Sequence, residues 1–161
     1  MQDFDIHELS AAGGVIALGP MPGRRGDLAA DVEKIARWGA SAVLTMTPQG
    51  ELDAHRASTL PEALAARGID WLHFAVEDFG VPAAGRAAEW SGLAIGLRAR
   101  LAKGQRVFVH CFGGCGRSGM AVLRLMVESG DDPDAALRQL RRVRPCAVET
   151  DAQRLWATDL D

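Results

Sequence analysis

The chain has no tyrosine, only two lysines and only three cysteines in 161 residues. These shortages set the first limits. Cys111, Cys115 and Cys146 are odd in number and contain no Cys-x-x-Cys pair. Neither a disulfide framework nor a metal cluster is expected, and reduced thiols in a cytoplasmic setting are. No apolar run approaches the ~18 residues that a membrane helix needs. The opening MQDFDIHELS lacks the basic start and apolar stretch of a secretory signal. A net charge of -3 makes neither nucleic acid nor an anionic membrane an expected partner. Repeats, low-complexity tracts and interior linkers are missing too, which leaves one domain over residues 1–161. Oligomeric state is not legible.

What is present is an ordinary globular composition, 48% hydrophobic and 24% charged. Short β-like runs alternate with amphipathic segments, which predicts an α/β fold: a central, mostly parallel sheet flanked by helices. Strands are expected at 14–18, 42–46, 70–74 and 106–110. Helices are expected from Asp27, as N-cap, to about Trp38, and over 61–67, 83–103, 117–129 and 132–143, with a last one from about Thr150. The helix at 117–129 is apolar nearly all round and should be buried. Arg138, Arg141, Arg142 and Arg144 form a basic cluster. It can attract an acidic or phosphorylated substrate, or be a solvated helix face.

The informative string is HCFGGCGRS, residues 110–118, between a buried strand and a buried helix. Such a junction turns several backbone N–H groups into one concavity, and the helix N-terminus adds partial positive charge. Gly113, Gly114 and Gly116 allow the backbone to turn and to approach an anion closely. Cys111 opens the loop, where this field favours thiolate over thiol. The backbone of Phe112, Gly113, Gly114, Cys115 and Gly116 then forms a phosphate cradle. The planar fork of Arg117 grips two phosphate oxygens. Ser118 can hydrogen-bond the sulfur, and His110 can orient the loop.

With its strand-to-helix context, this string resembles the signature of the protein tyrosine phosphatase superfamily, His-Cys-x5-Arg-Ser/Thr. His110, Cys111, Gly114, Gly116, Arg117 and Ser118 meet its defining positions. The segment VEDFGVP, residues 76–82, is similar to the family's Trp-Pro-Asp loop, with Val76 and Glu77 in place of Trp and Pro. The resemblance makes Asp78 the general acid and then the general base, with Glu77 as alternative acid and a solvated acidic turn as the plain reading. RPCAVETDAQ, residues 144–153, resembles a C-terminal segment of dual-specificity relatives. There Gln153 would place the water that hydrolyses phosphocysteine. Thr150 and Gln153 also have capping-box spacing, so Gln153 can equally be a helix-closing residue. Cys146 stands where Gly is expected and reads as a buried thiol. Cys115 reads either as a partner that traps oxidised Cys111 or as a small side chain pointed away from it.

Further similarity, over roughly residues 14–155, is to the kinase-associated (cyclin-dependent kinase inhibitor 3) type and its short bacterial relatives. It rests on LGPMPG, on residues 27–35, on Trp38-Gly-Ala and on the Gly50-Glu-Leu segment. It implies a four- to five-stranded sheet and a cysteine-dependent phosphatase that needs no metal or cofactor. The loop interior carries no Lys, which argues for one phosphate at the site and hence a phosphorylated protein substrate. With no long tyrosine-recognition insert, phosphoserine and phosphothreonine join phosphotyrosine as expected substrates. A rhodanese-like sulfurtransferase would leave Arg117, Ser118 and Asp78 without a task. A phosphate-binding pseudo-enzyme would not need both Cys111 and Asp78.

Overall fold

The computed structural model describes residues 4–160. Five strands form one sheet: β1 (His7–Ala11), β2 (Gly14–Gly19), β3 (Ala40–Thr45), β4 (Asp70–His73) and β5 (Arg106–His110), in the order β1-β2-β5-β3-β4. Only the β1–β2 pair is antiparallel. The α/β class and mostly parallel sheet agree with the expectation, as do the four anticipated strands to within two residues at either end.

Parallel strands buried on both faces read as continuous apolar runs, and alternate residues divide between two cores. Ala17, Val43 and Phe108 face α1 (Leu28–Trp38), α2 (Gln49–Ala54) and α3 (Leu60–Ala65), through Val32, Ile35, Leu52, Leu60 and Leu64. Ile16, Leu18, Leu44, Val107 and Val109 face the other side, where Trp90, Ala94, Leu97 and Leu101 of α4 (Ala87–Ala102) pack. That side also holds α5 (Gly116–Glu128), α6 (Pro133–Val143) and α7 (Asp151–Thr158). In α5, eleven of the thirteen residues are buried, as its all-round apolarity requires.

Two elements lie outside the sequence expectation. The short β1 presents only Leu9 and Ala11 to the core and gains its order by pairing with β2. The six-residue α2 buries only Leu52, too little for a helical period to show.

Because β5 enters between β2 and β3, the carboxyl ends of four parallel strands share one edge. Gly19 and Thr45 flank His110 in register, and His73 pairs with Thr45. Open α/β sheets place ligand sites beyond such an edge, where the connections diverge.

Candidate active site

Residues 111–115 join the end of β5 to the start of α5, as the glycine pattern anticipates. Every carbonyl along this turn is held from outside. The Cys111 carbonyl accepts from His110 Nδ1 (3.0 Å). The Phe112 carbonyl accepts from the Met21 amide (3.1 Å) and Arg24 Nη1 (3.3 Å). Arg144 donates Nη2 to the Gly113 carbonyl (2.9 Å) and Nε to that of Gly114 (3.1 Å). The Cys115 carbonyl accepts from the amides of Gly119 and Val148, each at 3.1 Å. A trans peptide directs its N–H opposite to its C=O. Carbonyls anchored outward therefore turn the amides of residues 112–116 inward, and none of the five donates to another protein atom among the described residues. Gly114 has φ +79°, and a Cβ there would strike the Gly19 backbone, so only glycine lets the turn close against β2.

Inside the turn, Cys111 is 3% exposed and its Sγ lies 3.2 Å from Ser118 Oγ. Arg117, on the first turn of α5, is buried. Its Nη1 donates to Glu51 Oε2 (2.7 Å) and to the Val76 carbonyl (2.9 Å), and its Nη2 donates to Glu51 Oε1 (3.0 Å). Asp78 Oδ1 is 3.4 Å from Nη2. Burial works against the Arg117 charge. The Glu51 hydrogen bonds and the charges of Cys111, Glu51 and Asp78 outweigh it and raise its pKa, so the cation is permanent. The buried Arg117 Nε has no partner among the described residues, and a bound oxyanion at this place would satisfy it.

His110 is fully buried between strands. Its Nδ1 faces a carbonyl, which only accepts, so Nδ1 carries the proton and Nε2 accepts from Thr45 Oγ1 (2.7 Å). Thr45 Oγ1 in turn accepts from Trp71 Nε1 (2.8 Å). Burial, with smaller contributions from the charges of His73 and Arg117, pushes the imidazole down to about 4, so it is neutral at pH 7.

The segment that carries Asp78 follows β4. Val76, in the place of the family's Trp, is buried, and its amide donates to the Met46 carbonyl (3.0 Å). Glu77, Asp78 and Phe79 are exposed. Gln153 is buried and forms a capping box with Thr150; its Oε1 also accepts from the Glu149 amide (2.9 Å). Its Nε2 reaches across to the Gly80 carbonyl (3.2 Å), tying α7 to this segment. Asp78, Phe79, Cys111, Phe112, Gly113, Cys115, Arg117 and Glu149 line one pocket of about 140 Å³.

Two expectations about cysteine fail. Cys115 and Cys146 are joined in a disulfide, 31 residues apart in sequence, and Cys111 is the free thiol. Cys146 is exposed rather than buried. The cause is packing: Arg144 and Val148 clamp their segment onto the outside of the turn and carry Cys146 to Cys115, a proximity that no spacing rule shows. The basic cluster also divides. Arg141 donates to the Ala147 and Val148 carbonyls (2.9 Å each) and Arg144 to the turn, so both shape backbone. Glu51, Thr45, Trp71 and Arg144 were not among the anticipated site residues. For Glu51 the only sequence signal is its place in the Gly50-Glu-Leu segment.

Fold and site together define a member of the protein tyrosine phosphatase superfamily of the dual-specificity type. More narrowly, residues 13–137 match the family described as Cyclin-dependent kinase inhibitor 3 (CDKN3), and the chain belongs to it. The mouse cyclin-dependent kinase inhibitor 3 is 30% identical over 121 residues, 74% of this chain and 56% of the mouse protein. The chain thus spans little more than half the length of the curated relatives it matches. The crystal structure of kinase-associated phosphatase, with its catalytic-site cysteine changed to serine, superposes with a TM-score of 0.86 at 22% identity, covering 99% of this chain and 94% of the other. Tk-PTP in its active form gives 0.74 at 28% identity, covering 96% and 95%.

Proposed function

We propose that residues 1–161 form one cysteine-dependent phosphatase domain that hydrolyses phosphotyrosine, and phosphoserine or phosphothreonine, in protein substrates through a phosphocysteine intermediate. The observation that carries this reading is the turn at 111–116: five inward amides without protein partners surround a buried sulfur, beside the unpartnered Nε of Arg117.

Three equatorial phosphate oxygens fit those donors, which bind the dianion and strengthen as charge shifts in the transition state. Cys111 attacks phosphorus in line with the ester oxygen. Asp78, on the facing segment, protonates that oxygen as it leaves. Ser118 donates its hydroxyl to the sulfur when phosphocysteine breaks down. In that second step Asp78 takes a proton from water. The free hydrogen on Gln153 Nε2 can hold this water, although the Oε1 is committed to the helix cap. Phe79, 60% exposed, and Phe112 give the pocket apolar walls that suit an aromatic ring. The mouse and rat relatives are named as inhibitors of a cyclin-dependent kinase and a structural neighbour as kinase-associated. For this chain the proposal extends to a phosphoprotein only. A cytoplasmic location belongs to the same reading; among the described residues no helix is long and apolar enough to cross a membrane.

Turnover of p-nitrophenyl phosphate and of phosphopeptides tests this. Cys111→Ser should abolish it, and Asp78→Ala should lower kcat by roughly 10²–10⁴ near neutral pH, the contribution of a general acid. Undiminished activity in Cys111→Ser overturns the reading.

A further inference from the structure

Two carboxylates line the pocket that holds Cys111. Asp78 is held by Arg117 (3.4 Å) and by the Phe79 amide (3.0 Å). The Glu149 carboxylate accepts no hydrogen bond and joins no ion pair among the described residues. On an open surface that is ordinary. On the wall of a pocket that takes a phosphate dianion it weakens binding, because like charges repel. A site that only bound phosphate would gain by losing it. Yet its placement is enforced. Val148, just before it, has φ +66°, a left-handed backbone that a β-branched residue rarely adopts. That conformation is held from both sides: the Val148 amide donates to the Cys115 carbonyl (3.1 Å), and the Val148 carbonyl accepts from Arg141 Nη2 (2.9 Å). The Glu149 amide donates to Gln153 Oε1 (2.9 Å). Backbone strain over-determined in this way gathers at functional sites. Here it lays the Glu149 carboxylate against Gly116. A Cβ at Gly116 would strike Glu149 Oε1, and would stand 3.0 Å from Gln153 Oε1. Gly116 opens α5, whose N-terminal dipole offsets part of the cost of the negative charge. Asp78 and Glu149 thus reach one pocket from two separate segments, with Gln153 beside the second.

We propose that Glu149 orients the water that hydrolyses the phosphocysteine, by accepting the hydrogen that Asp78 does not take. This rests on the phosphatase reading of Cys111. Water has two hydrogens and two lone pairs. One lone pair must reach phosphorus, and Gln153 Nε2, a donor only, engages the other. The two hydrogens need two acceptors, and the pocket offers two carboxylates. In the step itself the water oxygen bonds to phosphorus. The S–P bond breaks, and its electron pair returns to Cys111 as thiolate. One water proton passes to Asp78, which gave its own to the leaving group in the first step, and Asp78 is again an acid. The second hydrogen stays on the oxygen, now part of inorganic phosphate, and is held by Glu149 until the product leaves. The first step contains no water, so Glu149 acts only in the second.

The test follows phosphocysteine itself. The unaltered full chain, Glu149→Ala and Glu149→Gln are each charged with saturating p-nitrophenyl phosphate, diluted to stop recharging and quenched in acid at intervals. Phosphate on Cys111 is measured by mass spectrometry. The first equivalent of p-nitrophenolate should appear within about twofold of the unaltered rate in both variants, which also shows that they fold. Loss of phosphate from Cys111 should be roughly 10-fold slower in Glu149→Ala, as expected for a hydrogen bond to a charged group. Glu149→Gln keeps an acceptor oxygen and should slow less. Methanol, added as a competing nucleophile, separates orientation from support. It has one hydroxyl hydrogen where water has two, so Asp78 alone serves it. The ratio of methyl phosphate to inorganic phosphate should therefore rise by roughly the same factor in Glu149→Ala. Decay as fast as in the unaltered chain overturns the proposal. So does slower decay with an unchanged product ratio, which makes Glu149 a support for its segment and nothing more. If no phosphate appears on Cys111 in any of the three proteins, the phosphatase reading itself fails and the role of Glu149 falls with it.

Discussion

The turn at 111–116 and the segment at 76–82 face each other across one pocket but are held very differently. The first has each of its carbonyls from Cys111 to Cys115 tied down by strand, loop or helix donors. The second is fixed at its root, through Val76 and through Arg86 Nη1 to the Ala75 carbonyl, and at Gly80 by Gln153. Between these points Glu77, Asp78 and Phe79 are exposed, with Asp78 held only by its ion pair to Arg117 and its own turn. An anion cradle gains from rigidity, since dipoles already aligned cost no reorganisation during reaction. A proton donor that must meet a leaving group after substrate enters gains from freedom to move.

The largest effect expected from this contrast is on stability, beneath the rigid side. His110 must be neutral in the fold, whereas the unfolded chain takes up a proton near 6.5 and the folded one only near 4. Stability from this group is therefore fully present above pH 6.5 and is lost as pH falls from 6.5 to 4, on the order of 3 kcal/mol over that window. Denaturant unfolding at pH 7, 5.5 and 4.5 should show a steeper acid decline in the unaltered protein than in His110→Gln. Parallel curves would remove His110 as the foundation of the turn.

Next in size is Glu51. Hydrogen bonds to charged groups contribute about 1.5–3 kcal/mol, so Glu51→Ala, by freeing Arg117 to turn, should lower kcat/KM roughly 10- to 100-fold. Glu51→Gln keeps one acceptor and should lose less. A change under twofold in both would show that Val76 and Asp78 suffice to aim the guanidinium.

On the exposed side the effects are smaller and depend on substrate. Gln153→Ala frees Gly80, and a net hydrogen bond of about 1 kcal/mol sets a loss of roughly fivefold. The loss should grow as the leaving group becomes a poorer one that needs the Asp78 proton. An equal loss for aryl and alkyl esters would assign Gln153 to the helix cap alone. Smallest is Phe79→Ala: an aromatic contact of about 0.5–1.5 kcal/mol should lower kcat/KM for aryl phosphates by roughly 2- to 10-fold and leave alkyl phosphates unchanged. Equal losses would mean that Phe79 shapes the loop and does not touch the substrate ring.

Much of the molecule is legible in the sequence. Residues 106–128 read as buried strand, glycine turn and buried helix because hydrophobic period and glycine spacing are local properties, and the observed β5 and α5 match to within a residue. Asp78 was reachable through the resemblance of its segment, and the structure brings it to 3.4 Å from Arg117. The edge strand β1 escaped because its two inward residues show little period without β2 beside them.

The linear order of residues by itself determined where the turn with inward amides lies and which sulfur sits in it, because a strand–glycine–helix junction organises its amides within a few residues. Three decisions belonged to the tertiary structure alone: that Glu51 holds Arg117, that Thr45 reaches the ring of His110 with Trp71 behind it, and that Cys146 meets Cys115. Each joins groups that are distant in the chain. Such encounters are set by how helices pack on the two faces of the sheet, and that packing leaves no local trace in composition or spacing.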